Sequence, residues 1–323
     1  MWPAAWQDQP VSKPSQPSPA QVRDLLRSMD PSLGLITCRQ LAGGVSAQLT
    51  AIDAQRADGQ VERLVLRQYG PANLRADPHV AVHEYALLSL LDRAGLPVPR
   101  PHHADETATI MPVPCLIIEY IDGYPLTQPS QLTAPLTEFT GQLAHVLARL
   151  HTAAFTLADA RYLADIRAIA ARRVETWPSG PDEALSEPAV RTVLARIWPP
   201  PLLNQPVLLH GDFWPGNALW RDGTLVGVVD WEDAVLGDPL HDVANTRMEL
   251  CMAFGISAAR EFTGQYCERR PTTDMTALRH WDLYAALRHA GRMSEWGLTP
   301  GDRKRLEAGH QQFVTAALAA LQP

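Results

Sequence analysis

The sequence predicts an α+β protein of two lobes, a small β-rich N-lobe followed by a larger, mainly helical C-lobe. Three observations carry that expectation. Short apolar runs with strand character, punctuated by Gly-Gly and Asp-Gly turns, fill the first third of the chain. From Thr133 onward the apolar residues recur at helical spacing instead. One island of strand character, Val207 to Asp230, interrupts those helices. Strands grouped ahead of helices, rather than alternating with them, belong to the α+β class.

Taken in order, residues 1–17 are rich in Pro, Gln and Ser and read as a disordered leader. The N-lobe then spans 18–121. Ser18 caps a helix whose first turn holds Pro19 and whose buried face is Val22, Leu25, Leu26 and Met29. Strands follow at Leu33 to Leu41, Gln48 to Ile52 and, after Asp58-Gly59, Val61 to Tyr69. Asp77-Pro78 opens a long apolar helix that Gly95 stops. Thr107 to Met111 and Pro114 to Ile121 are the last strands expected in this lobe, the second ending at Asp122-Gly123.

The C-lobe, 122–323, begins with a helix whose buried stripe is Leu136, Phe139, Leu143, Val146, Leu147 and Leu150. Arginine-rich amphipathic helices are expected at 160–176 and 188–198. Val207 to His210 then leads through an irregular loop to Ala218 to Trp220, a turn at Asp222-Gly223, and a return strand, Leu225 to Asp230. Helices continue to the end.

Composition limits the function classes. A chain of 323 residues with 46% apolar content can bury a substantial core. Its net charge of −7 excludes a general affinity for nucleic acid or anionic membrane and favours cationic small molecules. The four cysteines form no C-x-x-C pair or zinc spacing, so free thiols in a reducing compartment are expected. The first 19 residues lack the basic and apolar runs of a secretory signal, and no stretch reaches the length of a membrane span, so a cytoplasmic protein is expected. Lysine occurs only at 13 and 304, leaving arginine to supply nearly all positive charge.

The chemistry concentrates in His210-x-Asp212-x4-Asn217 followed by Asp230. An apolar strand delivers the chain to His210, Pro215-Gly216 keeps the next loop irregular, and Asp230 ends the returning strand. Three oxygen-bearing side chains can converge there, hard ligands that suit Mg²⁺ with phosphate oxygens completing its shell. The spacing matches the kinase catalytic loop H-R-D-x-x-x-x-N with its later metal-binding Asp.

Leu208-Leu-His-Gly-Asp-Phe-Trp-Pro-Gly-Asn-Ala-Leu-Trp220, Val228-Val-Asp-Trp-Glu232 and Gly237-Asp-Pro-Leu-His-Asp242 resemble the aminoglycoside phosphotransferase family, a branch of the protein-kinase-like fold. The resemblance runs from about residue 20 onward and is most specific over 207–246. It implies a bilobal fold, ATP or GTP as co-substrate, Mg²⁺, and transfer of the γ-phosphoryl group to a hydroxyl of a small molecule. Asp212 would be the catalytic base, Asn217 and Asp230 the metal ligands, His210 a structural support, and Asp242 a buried brace of the catalytic loop. For Asp242 a plain helix N-terminal acid is an equal alternative.

In the N-lobe the same template places Arg67, on Leu64-Val-Leu-Arg67, where lysine is usual, with Glu84 as its helix-borne partner. Gly43, Gly44 and Ser46 would cover the phosphates, although a Gly-Gly turn is the ordinary alternative. Glu119 to Ile121 would supply the hinge whose backbone meets the nucleobase. Trp214 and Trp231 flank the presumed centre, as acceptor-pocket walls or as packing residues. Glu232 and Asp233 could meet a cationic acceptor; Asp282, Glu295 and Trp296 are further candidates for its pocket.

The expected partners are therefore nucleotide and a small alcohol, with no nucleic acid and no membrane, in a monomer or homodimer. Two rivals compete. A metal-dependent phosphohydrolase would use His210, Asp212, His241 and Asp242 as ligands, but leaves Asn217 and Asp230 without roles. A non-catalytic pseudokinase has only Arg67 in its favour. The motif does not identify the acceptor.

Overall fold

The computed structural model describes residues 14–41, 47–156, 159–177, 185–289 and 298–320. Gly43, Gly44, Ser46, Glu295, Trp296 and most of the expected leader lie outside these. The chain divides into two compact units, Met1–Asp122 with Phe155–Tyr162, and Gly123–Ala154 with Leu163–Pro323.

The N-terminal unit is built on a five-stranded antiparallel sheet of order β1-β2-β3-β5-β4, formed by β1 (Gly34–Gln40), β2 (Ala47–Gln55), β3 (Val61–Tyr69), β4 (Pro101–Asp105) and β5 (Cys115–Glu119). Helix α1 (Pro19–Met29) starts with a capping box: Gln21 N–H donates to Ser18 Oγ while the Ser18 N–H donates to Gln21 Oε1 at 2.9 Å. Val22, Leu25 and Leu26 on its inner face are fully buried against Ile52, Leu64, Leu66 and Ile117 of the sheet. Each such side chain contributes roughly 1.5–3 kcal/mol of burial.

Two expectations for this unit need correction. The expected helix is α3 (Val80–Arg93), but a short helix the sequence did not announce, α2 (Pro71–Ala76), precedes it, and Asp77 ends α2 instead of capping α3. The Asp77 carboxylate accepts the His79 N–H at 2.9 Å, a local turn that competes with helix continuation. Nor is Thr107 to Met111 a strand. The edge strand is Pro101–Asp105, after which the Asp105 carboxylate accepts both the N–H and the hydroxyl of Thr107 and turns the chain away. The prolines at 97, 99 and 101 concealed this strand, yet proline is tolerated at the start of an edge strand.

The C-terminal unit packs α4 (Leu136–Leu150), α5 (Ile166–Glu175), α6 (Glu187–Ile197), α7 (Leu240–Phe254), α8 (Ile256–Arg269), α9 (Leu278–Ala286) and α10 (Pro300–Ala319) with two small sheets. Helix α7 is buried on nearly every side and packs against α8, α9 and α10. One sheet is the hairpin β8 (Ala218–Arg221) and β9 (Thr224–Val228), flanked by the short β6 (Tyr124–Pro125). Its turn residues Asp222 and Gly223 have φ of 50° and 76°, the conformation that favours Asp-Gly in tight hairpins. The other sheet pairs β7 (Val207–Leu209) with β10 (Val235–Gly237), a strand the sequence did not announce. Among the described residues no helix is long and apolar enough to cross a membrane.

Candidate active site

In the C-terminal unit, the loop between β7 and β8 is shaped from below by Asp242 in the first turn of α7. This fully buried carboxylate accepts the His210 N–H at 2.7 Å on one oxygen and the Gly211 N–H at 3.0 Å on the other. His151 Nε2 and His241 Nδ1 approach the same two oxygens at 3.3 Å each. Burial alone would push the carboxyl pKa up, but hydrogen bonds from the two histidines outweigh it and hold the group far below the usual carboxylate range. His151 is itself oriented by Tyr266, whose hydroxyl lies 2.7 Å from Nδ1.

His210 is fully buried and has both ring nitrogens engaged. Nε2 lies 3.1 Å from the Val229 carbonyl, which can only accept, and Nδ1 accepts the Asp212 N–H at 3.2 Å. That pattern requires the neutral Nε2–H tautomer, and burial lowers the ring pKa in the same sense. Trp231 packs over the ring with centroids 4.4 Å apart and donates its indole N–H to Val228. It is a buried packing residue here, as His210 is a fastener of the loop.

Asp212 and Asn217 are brought together. The Asn217 amide donates to the Asp212 carbonyl at 2.9 Å and to Asp212 Oδ2 at 3.1 Å, so its amide oxygen is the atom that could hold a metal ion. Asp230 lies just past the end of β9 with φ of 67°, a left-handed conformation that Asp adopts more readily than most residues other than glycine. Val229 N–H donates to the Asn217 carbonyl at 2.9 Å and so ties the Asp230 strand end to the loop. Amide and carboxylate oxygens are the donor types Mg²⁺ takes when phosphates complete its shell.

The rival metal set fares differently. His210, His241 and Asp242 bond to one another or to backbone, and among the described residues no three His, Cys, Asp or Glu side chains form a metal-binding group.

Several residues that position the loop escaped the sequence reading. Asn245 and Thr246 both donate to the Phe213 carbonyl, at 3.3 and 2.9 Å. With Asp242 they occupy i, i+3 and i+4 of α7, a polar stripe on a buried helix that could have been noticed. Arg288, beyond the end of α9, donates to the Gly211 carbonyl and to Asp212 Oδ1, and lies 4.0 Å from Asp233. Burial first, then the Asp212 charge, pushes the Asp233 carboxyl up to about 7 against the pull of Arg288. Asp282 is committed elsewhere, in a buried two-point pair with Arg247 at 3.0 and 3.1 Å. Trp214 is half-buried and lies over Gly216, where an added Cβ would sit 2.2 Å from its ring.

Gly211 has φ of 81°, and a Cβ there would fall 1.9 Å from the Asp233 carbonyl oxygen. Gly211→Ala is expected to lower the thermal midpoint of the C-terminal unit and to cost about 3 kcal/mol or more, read by denaturant unfolding. An unchanged midpoint would mean that this loop backbone yields freely.

In the N-terminal unit, Arg67 on β3 and Glu84 on α3 are both buried and face each other, with Arg67 Nε 3.6 Å from Glu84 Oε2. Tyr69 hydroxyl donates to the same carboxylate oxygen at 2.8 Å, and the Arg67 guanidinium lies 5.6 Å from the Tyr69 ring centroid. Glu119 ends β5 with an exposed side chain, and its N–H donates to the Arg100 carbonyl at 2.8 Å. Tyr120 N–H still donates to Arg63 at 3.0 Å, whereas Ile121 lies past the strand.

The phosphotransferase enzyme family model, APH, matches residues 37–287. Acyl-CoA dehydrogenase family member 10 of Mus musculus is 26% identical over 258 residues, covering 69% of this chain and 23% of that protein. The chain thus spans about a quarter of the length of that relative. A homoserine kinase of Azorhizobium caulinodans is 26% identical over 244 residues, covering 69% of this chain and 71% of that enzyme. Among solved structures, a thermostable mutant of aminoglycoside phosphotransferase APH(4)-Ia in ternary complex with AMP-PNP and hygromycin B superposes with a TM-score of 0.61. It is 18% identical, over 94% of this chain and 100% of that one, a likeness of fold.

Proposed function

The chain belongs to the phosphotransferase enzyme family and has its protein-kinase-like fold, and from that premise we propose that it transfers the γ-phosphoryl group of ATP or GTP to a hydroxyl of a small molecule. The observation that carries this reading is the Asp212–Asn217 pair on a loop braced by Asp242, with Asp230 tied to it through Val229. Asp212 orients the acceptor hydroxyl and takes its proton. Asn217 and Asp230 hold Mg²⁺, which when bound neutralises phosphate charge. In the N-terminal unit, Arg67 contacts the nucleotide phosphates and Glu84 with Tyr69 aims its guanidinium. Gly43, Gly44, Ser46 and the Glu119 to Ile121 backbone complete the nucleotide contacts.

Arginine in place of lysine fits its surroundings. The guanidinium faces Glu84 and lies over an aromatic ring, a contact arginine makes better than lysine. The AMP-PNP bound by a protein of this fold and the kinase named among the relatives support a nucleotide-dependent small-molecule kinase.

The deciding experiment is a coupled ATP and GTP consumption screen over amino alcohols, hydroxy amino acids, sugars, aminoglycosides and macrolides, with Asp212→Ala as control. We expect phosphorylated product from one acceptor class, lost in the variant. Turnover retained in full by Asp212→Ala would overturn the base assignment, and absence of nucleotide turnover with every acceptor and with water would overturn the function.

A further inference from the structure

We propose that Arg288 is a positioning residue for phosphoryl transfer, which grips the catalytic loop at two points, the Gly211 carbonyl and the Asp212 carboxylate, and so selects which Asp212 oxygen receives the acceptor proton. The proposal rests on the phosphotransferase reading above. No motif points to this arginine, and it lies one residue past the segment that the family model matches. Its guanidinium bridges the backbone and side chain of the loop, with Nη1 on the Gly211 carbonyl and Nη2 on Asp212 Oδ1 at 2.9 Å. Arg173 Nη2 in turn approaches the Arg288 carbonyl at 3.4 Å, which ties α5 to the same grip.

Gly211 is consequently held from both ends: its N–H by Asp242 and its carbonyl by Arg288. A planar fork can span a carbonyl and a neighbouring carboxylate together; a lysine ammonium would make one contact strongly and the other poorly.

The oxygens of Asp212 are left unequal. Among the described residues, Oδ1 takes Arg288 at 2.9 Å and the Asn245 amide at 3.5 Å, whereas Oδ2 takes the Asn217 amide alone at 3.1 Å. A carboxylate oxygen offers about two lone-pair directions, so Oδ1 is occupied and Oδ2 keeps one open. The acceptor hydroxyl therefore addresses Oδ2. Its O–H bond breaks, the proton passes to Oδ2, and the oxygen electron pair forms the new O–P bond. The bond from the γ-phosphorus to the β–γ bridging oxygen breaks, and its electron pair leaves with the nucleoside diphosphate.

Arg288 assists in a second way. A bare carboxylate facing an incoming phosphoryl group would repel it, and a guanidinium 2.9 Å away offsets that charge. This arrangement suits a loose transition state, in which orientation of the hydroxyl matters more than early deprotonation.

The test is a double-mutant cycle on Asp212 and Arg288, with MgATP and water as acceptor and again with the acceptor from the screen. Arg288→Gln should lower kcat about tenfold to a hundredfold and leave the MgATP KM within about twofold. Arg288→Lys should recover part of the loss. In the double variant with Asp212→Ala, Arg288→Gln should cost nothing further, because it acts through the carboxylate that is already gone. Losses that multiply in the double variant, or a wild-type kcat in Arg288→Gln, would overturn the proposal. Should the glutamine variant fail to fold by thermal unfolding, the lysine variant carries the same cycle with the same criteria. A wild-type protein that turns over no nucleotide with any acceptor removes the phosphotransferase reading and this one with it; a wild-type enzyme with multiplying losses removes this one alone.

Discussion

Replacing Asp212 with asparagine is expected to lower kcat about a thousandfold, within the range for loss of a general base, while the nucleotide KM stays within about twofold. Two effects combine. The amide cannot take the acceptor proton. It also presents an NH₂ group to neighbours that are themselves donors, since Arg288, Asn217 and Asn245 all donate to the native carboxylate. Whichever way the new amide turns, one of those donors meets another donor, so the side chain leaves the orientation that aims Oδ2. Asp212→Ala should retain more of the loop order and nearly as little activity. The Asp233 carboxyl supplies a readout independent of turnover. Burial and then the Asp212 charge push it up to about 7, so removing that charge should let it ionise at lower pH, visible in carboxyl NMR titration. Full activity in the asparagine variant would move the base elsewhere, and an unshifted Asp233 would mean that the two carboxyls are not electrostatically coupled.

The parts of this molecule readable from sequence were those whose causes are local. Ser18-Pro19 and Gln21 specify the start of α1 within one turn of chain, and Asp222-Gly223 specifies the β8–β9 hairpin through its positive φ angles. The loop from His210 to Asn217 was readable because spacing, Pro215-Gly216 and the flanking strands act over a few residues. What stayed hidden was set by distant partners or by local competition. Strand β10 exists because Val235 to Gly237 can pair with β7, and nothing within it marks a strand. His151 and Tyr266, 115 residues apart, meet only when α4 packs on α8. Arg288 lies 76 residues from Asp212, amid arginines that give it no distinguishing mark. Asp77 is a residue type that caps helices, and its side chain instead closes a turn with His79. The two possible readings of Asp242 are also not exclusive: it is an acid in the first helical turn of α7 and a brace of the loop.

That double position makes Asp242 the residue whose loss should disturb the C-terminal unit most. Its carboxylate is fully buried and receives two backbone N–H groups and two imidazoles. Asp242→Ala leaves all four donors without an acceptor, at about 1–3 kcal/mol for each that finds no substitute. Some will reach water in the cavity, so the net cost expected is about 3–5 kcal/mol, the usual figure for removing one partner of a buried charged pair. In a unit of this size that corresponds to a fall of roughly 10 °C in the midpoint of its thermal transition. The pH dependence has a definite sign. Because the folded carboxyl is held far below its unfolded value, the folded state binds fewer protons than the unfolded state once pH drops below about 4, so Asp242 contributes stability above that range and loses it on acidification. The alanine variant should therefore lose stability less steeply than wild type as pH falls from about 4. Asp242→Asn separates charge from shape: its amide oxygen can still accept from one backbone N–H while its NH₂ meets another donor, so it should remain nearly as unstable as alanine. An asparagine variant with wild-type stability would show that the imidazoles do not need a charged partner, and that the loop is held by its backbone hydrogen bonds alone.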